Sequence, residues 1–141
     1  MILKAKESDF ESIFKLLTQL WPNKNLIKKK VHTLFTQSLR KKNTIDLVLK
    51  KEGVVIGFAS VKFMDDLYVQ GKVGILSEFI IDESVRDRGF GKNLLNEIMS
   101  QSKKCGCKEI QFNSSFKRKN AHKFYESFGF NKTAYYFWKK I

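Results

Sequence analysis

The chain has one proline, Pro22, two cysteines and no long apolar run. Each scarcity removes a class of protein. With a single proline and no stretch rich in Gly, Ser or Pro, no linker or low-complexity tail is expected, and no internal repeat shows. The cysteines stand as Cys105-Gly106-Cys107, too close for an unstrained disulfide within a regular element. The only histidines, His32 and His122, lie far from them and fit no zinc spacing, so no metal is expected. The segment Met1 to Phe10 lacks the apolar core of a signal peptide or a membrane span, which predicts a cytoplasmic protein with no membrane partner. Acidic residues are also scarce: 14 Asp plus Glu stand against 27 Lys plus Arg, a net charge of +13. Such a field attracts polyanions. Lysines are scattered, with Lys28-Lys29-Lys30 the one run of three, so solvated lysine-rich faces that also steer an anionic ligand account for the charge better than a nucleic-acid groove does.

What is present suffices for one compact α/β domain spanning 1–141. Hydrophobic residues make up 43% of the chain and include thirteen Phe, enough to build a core. Ile2 to Lys6 reads as a short strand. Ser8 or Asp9 then offers an N-cap for a helix whose Phe10, Ile13, Phe14, Leu17 and Trp21 share one face, and Trp21-Pro22-Asn23 ends it. Ile27, Val31, Leu34 and Phe35 predict a second amphipathic helix over about 25–40.

From Thr44 the period changes to two. Ile45, Leu47 and Leu49 are read as alternating with polar residues, Lys51-Glu52-Gly53 turns, and Val54 to Phe63 returns, which makes a β-hairpin. A polar loop around Asp65-Asp66 leads to a strand over 73–82. Strict alternation there puts Ile75, Ser77, Phe79 and Ile81 on one face and Leu76, Glu78, Ile80 and Asp82 on the other. Leu94, Leu95, Ile98 and Met99 mark a helix closing at Gly106. A strand over about 108–114, a short helix carrying Ala121, Phe124, Tyr125 and Phe128 and stopped at Gly129, and an aromatic strand over 131–140 complete the expectation.

The junction Arg86-Asp87-Arg88-Gly89-Phe90-Gly91-Lys92 joins a strand to a helix. Such a turn presents backbone N–H groups at the positive end of the helix dipole, a seat for phosphate oxygens. Its spacing is neither the Rossmann Gly-x-Gly-x-x-Gly pattern nor a Walker loop, because Lys92 is followed by Asn93 and the upstream glycine is missing. Arg86, Gly89 and Gly91 match the Arg/Gln-x-x-Gly-x-Gly/Ala motif of the GCN5-related N-acetyltransferase (GNAT) family. A second block, Arg118 to Phe130, is similar to that family's Arg-x-x-Ala-His-x-Phe-Tyr-Glu-x-x-Gly-Phe signature. The order and separation of the two blocks also resemble the family's.

That resemblance implies a GNAT-like α/β domain with a mixed central sheet of about six to seven strands flanked by about four helices. It implies acetyl-CoA as acetyl donor and an amine acceptor as partners. The backbone of Phe79, Ile80 and Ile81 would hold the pantetheine arm, and Arg86, Asp87, Arg88, Gly89, Phe90, Gly91 and Lys92 would wrap the pyrophosphate. Arg118 and Phe124 would also touch the cofactor. Arg118 stands where many members carry Asn, so its partner is either a CoA phosphate or a substrate carboxylate. Tyr125 takes the place of a general acid that protonates the CoA thiolate, and Glu78 that of a base for the incoming ammonium. A catalytically silent acyl-CoA-binding or regulatory module is the alternative reading. The sequence leaves monomer and homodimer open.

Overall fold

The computed structural model describes residues 1–141. In chain order it contains β1 (Ile2–Lys4), α1 (Phe10–Leu20), α2 (Lys28–Leu39), β2 (Thr44–Lys51), β3 (Val54–Asp66), β4 (Gly71–Ile81), α3 (Phe90–Lys104), β5 (Cys107–Gln111) and α4 (Lys119–Ser127), with 3-10 turns at Glu7–Asp9 and Glu83–Val85. Contacts gather into two units, Met1–Gln111 and Phe112–Ile141.

The first unit is built on a five-stranded sheet in the order β1-β2-β3-β4-β5. All pairings are antiparallel except that of β4 with β5. The parallel pair needs a crossover, and α3 supplies it. One face carries Val48, Phe58 and Ile80, which pack with Phe10, Ile13, Leu16 and Leu17 of α1 and Phe35 of α2. The helical period in α1 that the sequence displays is therefore the period of this contact. Leu47, Ala59 and Val61 point to the other face and are fully buried, as are Leu94, Leu95 and Ile98 of α3, which lies against β3, β4 and β5. A sheet covered on both faces explains why β2 buries four consecutive residues, Asp46 to Leu49, rather than every second one.

Two local features differ from the pattern read in the sequence. Asp9 sits at the N-cap position of α1 but makes no capping hydrogen bond to it. Its carboxylate instead accepts from the backbone N–H of Lys6 at 2.9 Å and from Lys50 Nζ at 2.6 Å, tying the start of α1 to β2. The alternation along β4 also breaks. Ser60 pairs with Glu78 but Val61 pairs with Leu76, so Ser77 is an extra residue opposite no partner. Leu76 therefore shares a face with Phe79 and Ile81, while Ile75 shares one with Glu78 and Ile80, the reverse of strict alternation for both.

In the second unit, α4 ends in a Schellman motif. Gly129 takes the left-handed conformation at φ +85°, its N–H reaches Glu126 O at 3.0 Å, and the N–H of Phe130 reaches Tyr125 O at 3.2 Å. The strand expected over 131–140 is absent, and no regular element follows α4. Tyr135, Tyr136, Phe137 and Trp138 are exposed. The sheet consequently has five strands rather than six or seven.

Candidate functional site

Within the first unit the candidate residues gather at the C-terminal end of β4 and the start of α3. Strand β5 ends at Gln111, opposite Ile75, whereas β4 continues to Ile81. Phe79, Ile80 and Ile81 thus occupy the part of β4 that extends beyond its parallel neighbour. The chain then turns sharply. Asp82 accepts from the Ser84 N–H at 2.9 Å and from the Ser84 hydroxyl at 2.5 Å. Gln19 of α1 grips the same turn from below, donating to Asp82 at 3.2 Å and accepting from the Glu83 N–H at 3.0 Å. The Ser84 hydroxyl and N–H, more than Gln19 and Arg86, hold the Asp82 carboxyl below the ordinary aspartate range. Arg86 closes the junction by donating from Nε to Ile81 O at 3.1 Å. This strut between the end of β4 and the loop was not legible in the sequence, where Arg86 reads as the first residue of the phosphate-loop motif.

Beyond Arg86, Asp87 adopts φ +62° and Gly89 φ +83°. Aspartate is among the side chains that tolerate this region, and glycine enters it without cost. Gly89 is the N-cap of α3 and supplies no capping side chain. The first N–H groups of the helix, on Phe90, Gly91 and Lys92, have no intrahelical acceptor. A Cβ built on Gly89 would meet nothing within 4 Å, so the space beside the N-cap of α3 is open. Arg88 is exposed and adds positive charge beside them, and Lys51 Nζ stands 5.8 Å from the centre of the Phe90 ring. The chemistry of this corner is that of an anion seat: backbone donors, a helix dipole, a side-chain-free approach and cations at its rim.

Glu78 lies on the face of β4 that α1 and α2 cover. Burial pushes its carboxyl above the usual range; Lys62 pulls it down, Asp46 pushes it up, and a hydrogen bond from Ser60 pulls it down again. Burial is the largest of these effects, so Glu78 is a carboxylate poised to accept a proton nearer neutrality than an exposed glutamate.

The second unit carries Arg118, Phe124 and Tyr125. Tyr125 is buried, at 7% exposure. Its ring is 4.4 Å from that of Phe112, 5.5 Å from Phe124 and 6.1 Å from Phe130. The contact with Phe130 is the apolar partner of the Schellman turn, so Gly129 fixes the position of Tyr125 as well as the helix end. Burial raises the Tyr125 phenol above its ordinary value and the Arg118 charge opposes this. Arg118 is the N-cap of α4, without a capping hydrogen bond. The Phe124 ring lies 5.0 Å from that of Phe128, tilted by 51°. Asp66, at the end of β3, uses its carboxylate to accept from the Val69 N–H at 2.8 Å and so shapes its own turn.

The sequence profile of the acetyltransferase (GNAT) family matches residues 10–130. The chain belongs to that family. Among curated relatives, the aminoalkylphosphonate N-acetyltransferase of Salmonella typhimurium is 23% identical over 137 residues, covering 97% of this chain and 88% of that protein. The aminoglycoside N(6')-acetyltransferase type 1 of Stenotrophomonas maltophilia is 27% identical over 137 residues, covering 94% and 86%. Among solved structures, an aminoglycoside N-acetyltransferase in complex with CoA superposes with a TM-score of 0.86 at 23% identity, covering 100% of this chain and 93% of that one. The family's fold is therefore present along the whole chain. No helix is long and apolar enough to cross a membrane.

Proposed function

We propose that this chain transfers the acetyl group of acetyl-CoA directly to a primary amine, on a small molecule of aminoglycoside or polyamine type or on a peptide. The observation that carries the reading is the corner at Gly89. An uncapped helix start, with a left-handed glycine and open space beside it, follows the stretch of β4 that extends past β5. A pyrophosphate fits such a corner. Phe90, Gly91 and Lys92 would give it backbone donors, Arg86 and Arg88 charge, and the backbone of Ile80 and Ile81 a strand edge along which a pantetheine arm extends. We read both units as one N-acetyltransferase domain, supported by a family match that runs through both.

In this reading Glu78 takes the proton of the incoming ammonium, directly or through water, leaving a neutral amine. The amine nitrogen bonds to the thioester carbonyl carbon, and backbone donors of β4 stabilise the developing oxyanion. The carbon–sulfur bond then breaks, the Tyr125 hydroxyl gives its proton to the departing thiolate, and the acylated nitrogen loses its second proton, through water, to the phenolate, which leaves the neutral amide, free CoA thiol and a restored Tyr125. Burial keeps Tyr125 protonated and ready to donate, and the nearby Arg118 charge eases the transient phenolate. Arg118 also offers its charge to a CoA phosphate or an acceptor carboxylate. The two curated relatives act, by their names, on chemically different amines, so the acceptor is best sought in a panel spanning aminoalkylphosphonates, aminoglycosides, polyamines and peptides.

Release of free thiol from acetyl-CoA tests the proposal. At least one acceptor should release it, and Tyr125→Phe should slow release about 10²-fold or more while leaving acetyl-CoA affinity intact. Turnover unchanged by Tyr125→Phe, where chemistry limits the rate, removes the acid assignment. Calorimetric binding of acetyl-CoA with no acceptor in the panel would favour the silent acyl-CoA-binding module instead.

A further inference from the structure

A polar row crosses the sheet face that α1 and α2 cover. Asp46 of β2 pairs in register with Ser60 of β3, and Ser60 with Glu78 of β4. The row lies directly beside the apolar row Val48, Phe58 and Ile80. Asp46 is 7% exposed and Ser60 3%. From α2, the Ser38 hydroxyl donates to Asp46 Oδ2 at 2.6 Å. No ion pair neutralises Asp46. A buried carboxylate held by a hydroxyl alone weakens a fold, and such groups concentrate at functional sites. Two strand spacings separate the strands of Asp46 and Glu78, about 10 Å. That is too far for the carboxylates to share a proton and near enough for one to act on the other across Ser60.

We infer that Asp46 and Ser60 are positioning residues for Glu78: the Ser60 hydroxyl fixes the direction in which Glu78 presents its oxygens, and the buried Asp46 carboxylate biases Glu78 toward drawing a proton from an incoming ammonium. The inference rests on Glu78 acting as the base. The groups facing Glu78 are Asp46 from β2 and Ser60 and Lys62 from β3. α2 adds Ser38, which is engaged with Asp46, and α1 turns Gln19 to Asp82 instead. Lys62 opposes Asp46, so the two set Glu78 between them.

The test needs no acceptor. Carboxyl carbon shifts of Glu78 are followed against pH in the isotope-labelled full chain. Asp46→Asn, which keeps shape and removes charge, should lower the Glu78 midpoint, and Ser60→Ala should raise it. With acetyl-CoA and whichever simple diamine is acetylated, the acid limb of the kcat/KM profile should move the same way while KM for acetyl-CoA stays fixed, which a purely structural role would not produce. A Glu78 midpoint unmoved by Asp46→Asn overturns the inference. If Asp46→Asn does not fold, Ser60→Ala decides alone by the same criterion. Full turnover in Glu78→Gln would instead remove the base assignment, a result distinct from either titration.

Discussion

Replacing Gly89 by Val separates two consequences that its geometry predicts. The residue sits at φ +83°, where an L side chain costs about 1–3 kcal/mol and a β-branched one lies toward the upper end. Nothing stands within 4 Å of the added Cβ, so that atom adds no clash to the strain. For a chain of this size the melting temperature should fall by roughly 3–12 °C. Acetyl-CoA affinity should fall independently. The helix-start donors contribute charge-assisted hydrogen bonds of about 1.5–3 kcal/mol, and a side chain over them forfeits at least one, a loss of roughly 10- to 150-fold in Kd.

Gly89→Asn is the control that assigns the cause. Asparagine tolerates the left-handed region, so the fold should melt near the wild-type temperature, yet its side chain enters the same open space. Calorimetry with acetyl-CoA should show weakened binding in both variants. Unchanged affinity in both, with circular dichroism confirming the fold, would refute the placement of the pyrophosphate over Gly89. Weakening in Val alone would refute it too, because the loss would then follow the backbone rather than the occupied space.

Two further outcomes concern stability. Glu78 has its folded-state carboxyl raised, chiefly by burial; its contribution to stability is therefore full below the unfolded value of about 4.5 and is lost as pH rises through the folded value. Glu78→Gln should melt progressively higher relative to the parent as pH climbs from 4.5 toward neutrality, while losing turnover; a constant gap in melting temperature would contradict the burial argument. Gly129→Ala should cost about 1–2 kcal/mol in urea unfolding, because φ is +85° there, and should speed amide exchange at Phe130, whose N–H closes the α4 end. Unaltered exchange at Phe130 would mean that the turn does not depend on its glycine.

Much of the architecture is legible because its signals are local. The helices over 10–20 and 28–39 follow from Phe10, Ile13, Leu17 and Phe35, the hairpin turns at Glu52-Gly53, and Gly106 and Gly129 take the positive φ that their helix ends demand. Where the reading failed, the deciding cause was non-local. The aromatic tail over 131–140 has strand-like composition, but composition cannot supply a pairing partner. The faces of Leu76 and Ile75 reverse because one extra residue, Ser77, enters opposite β3, which periodicity within β4 alone cannot reveal. Asp46 passed unnoticed because Ile45, Leu47 and Leu49 suggested a strand with one wet face. The only hint was Val48, an apolar residue on the supposedly polar side, and it marks the face that α1 and α2 cover.

The irregularity at Ser77 also connects parts of the site that the sequence presents as separate. Pairing with β5 stops at Ile75, and the extra residue enters two positions later. Below it, Leu76 shares the face of Val61, Phe79 and Ile81; above it, Glu78 and Ile80 face α1 and α2. Were β4 regular with its lower half anchored as it is by β5, Glu78 would point to the opposite face, away from Ser60 and Asp46, and Phe79 would enter the core beneath α1. One inserted residue thus gives the carboxylate its polar row at the point where β4 leaves β5 behind and runs on toward Gly89. A bulge beside a site re-aims a side chain; in this strand the extra residue turns Glu78 onto its polar row within three residues of the last pairing with β5, so the base candidate and the strand edge proposed for the pantetheine arm lie side by side on one short stretch of β4.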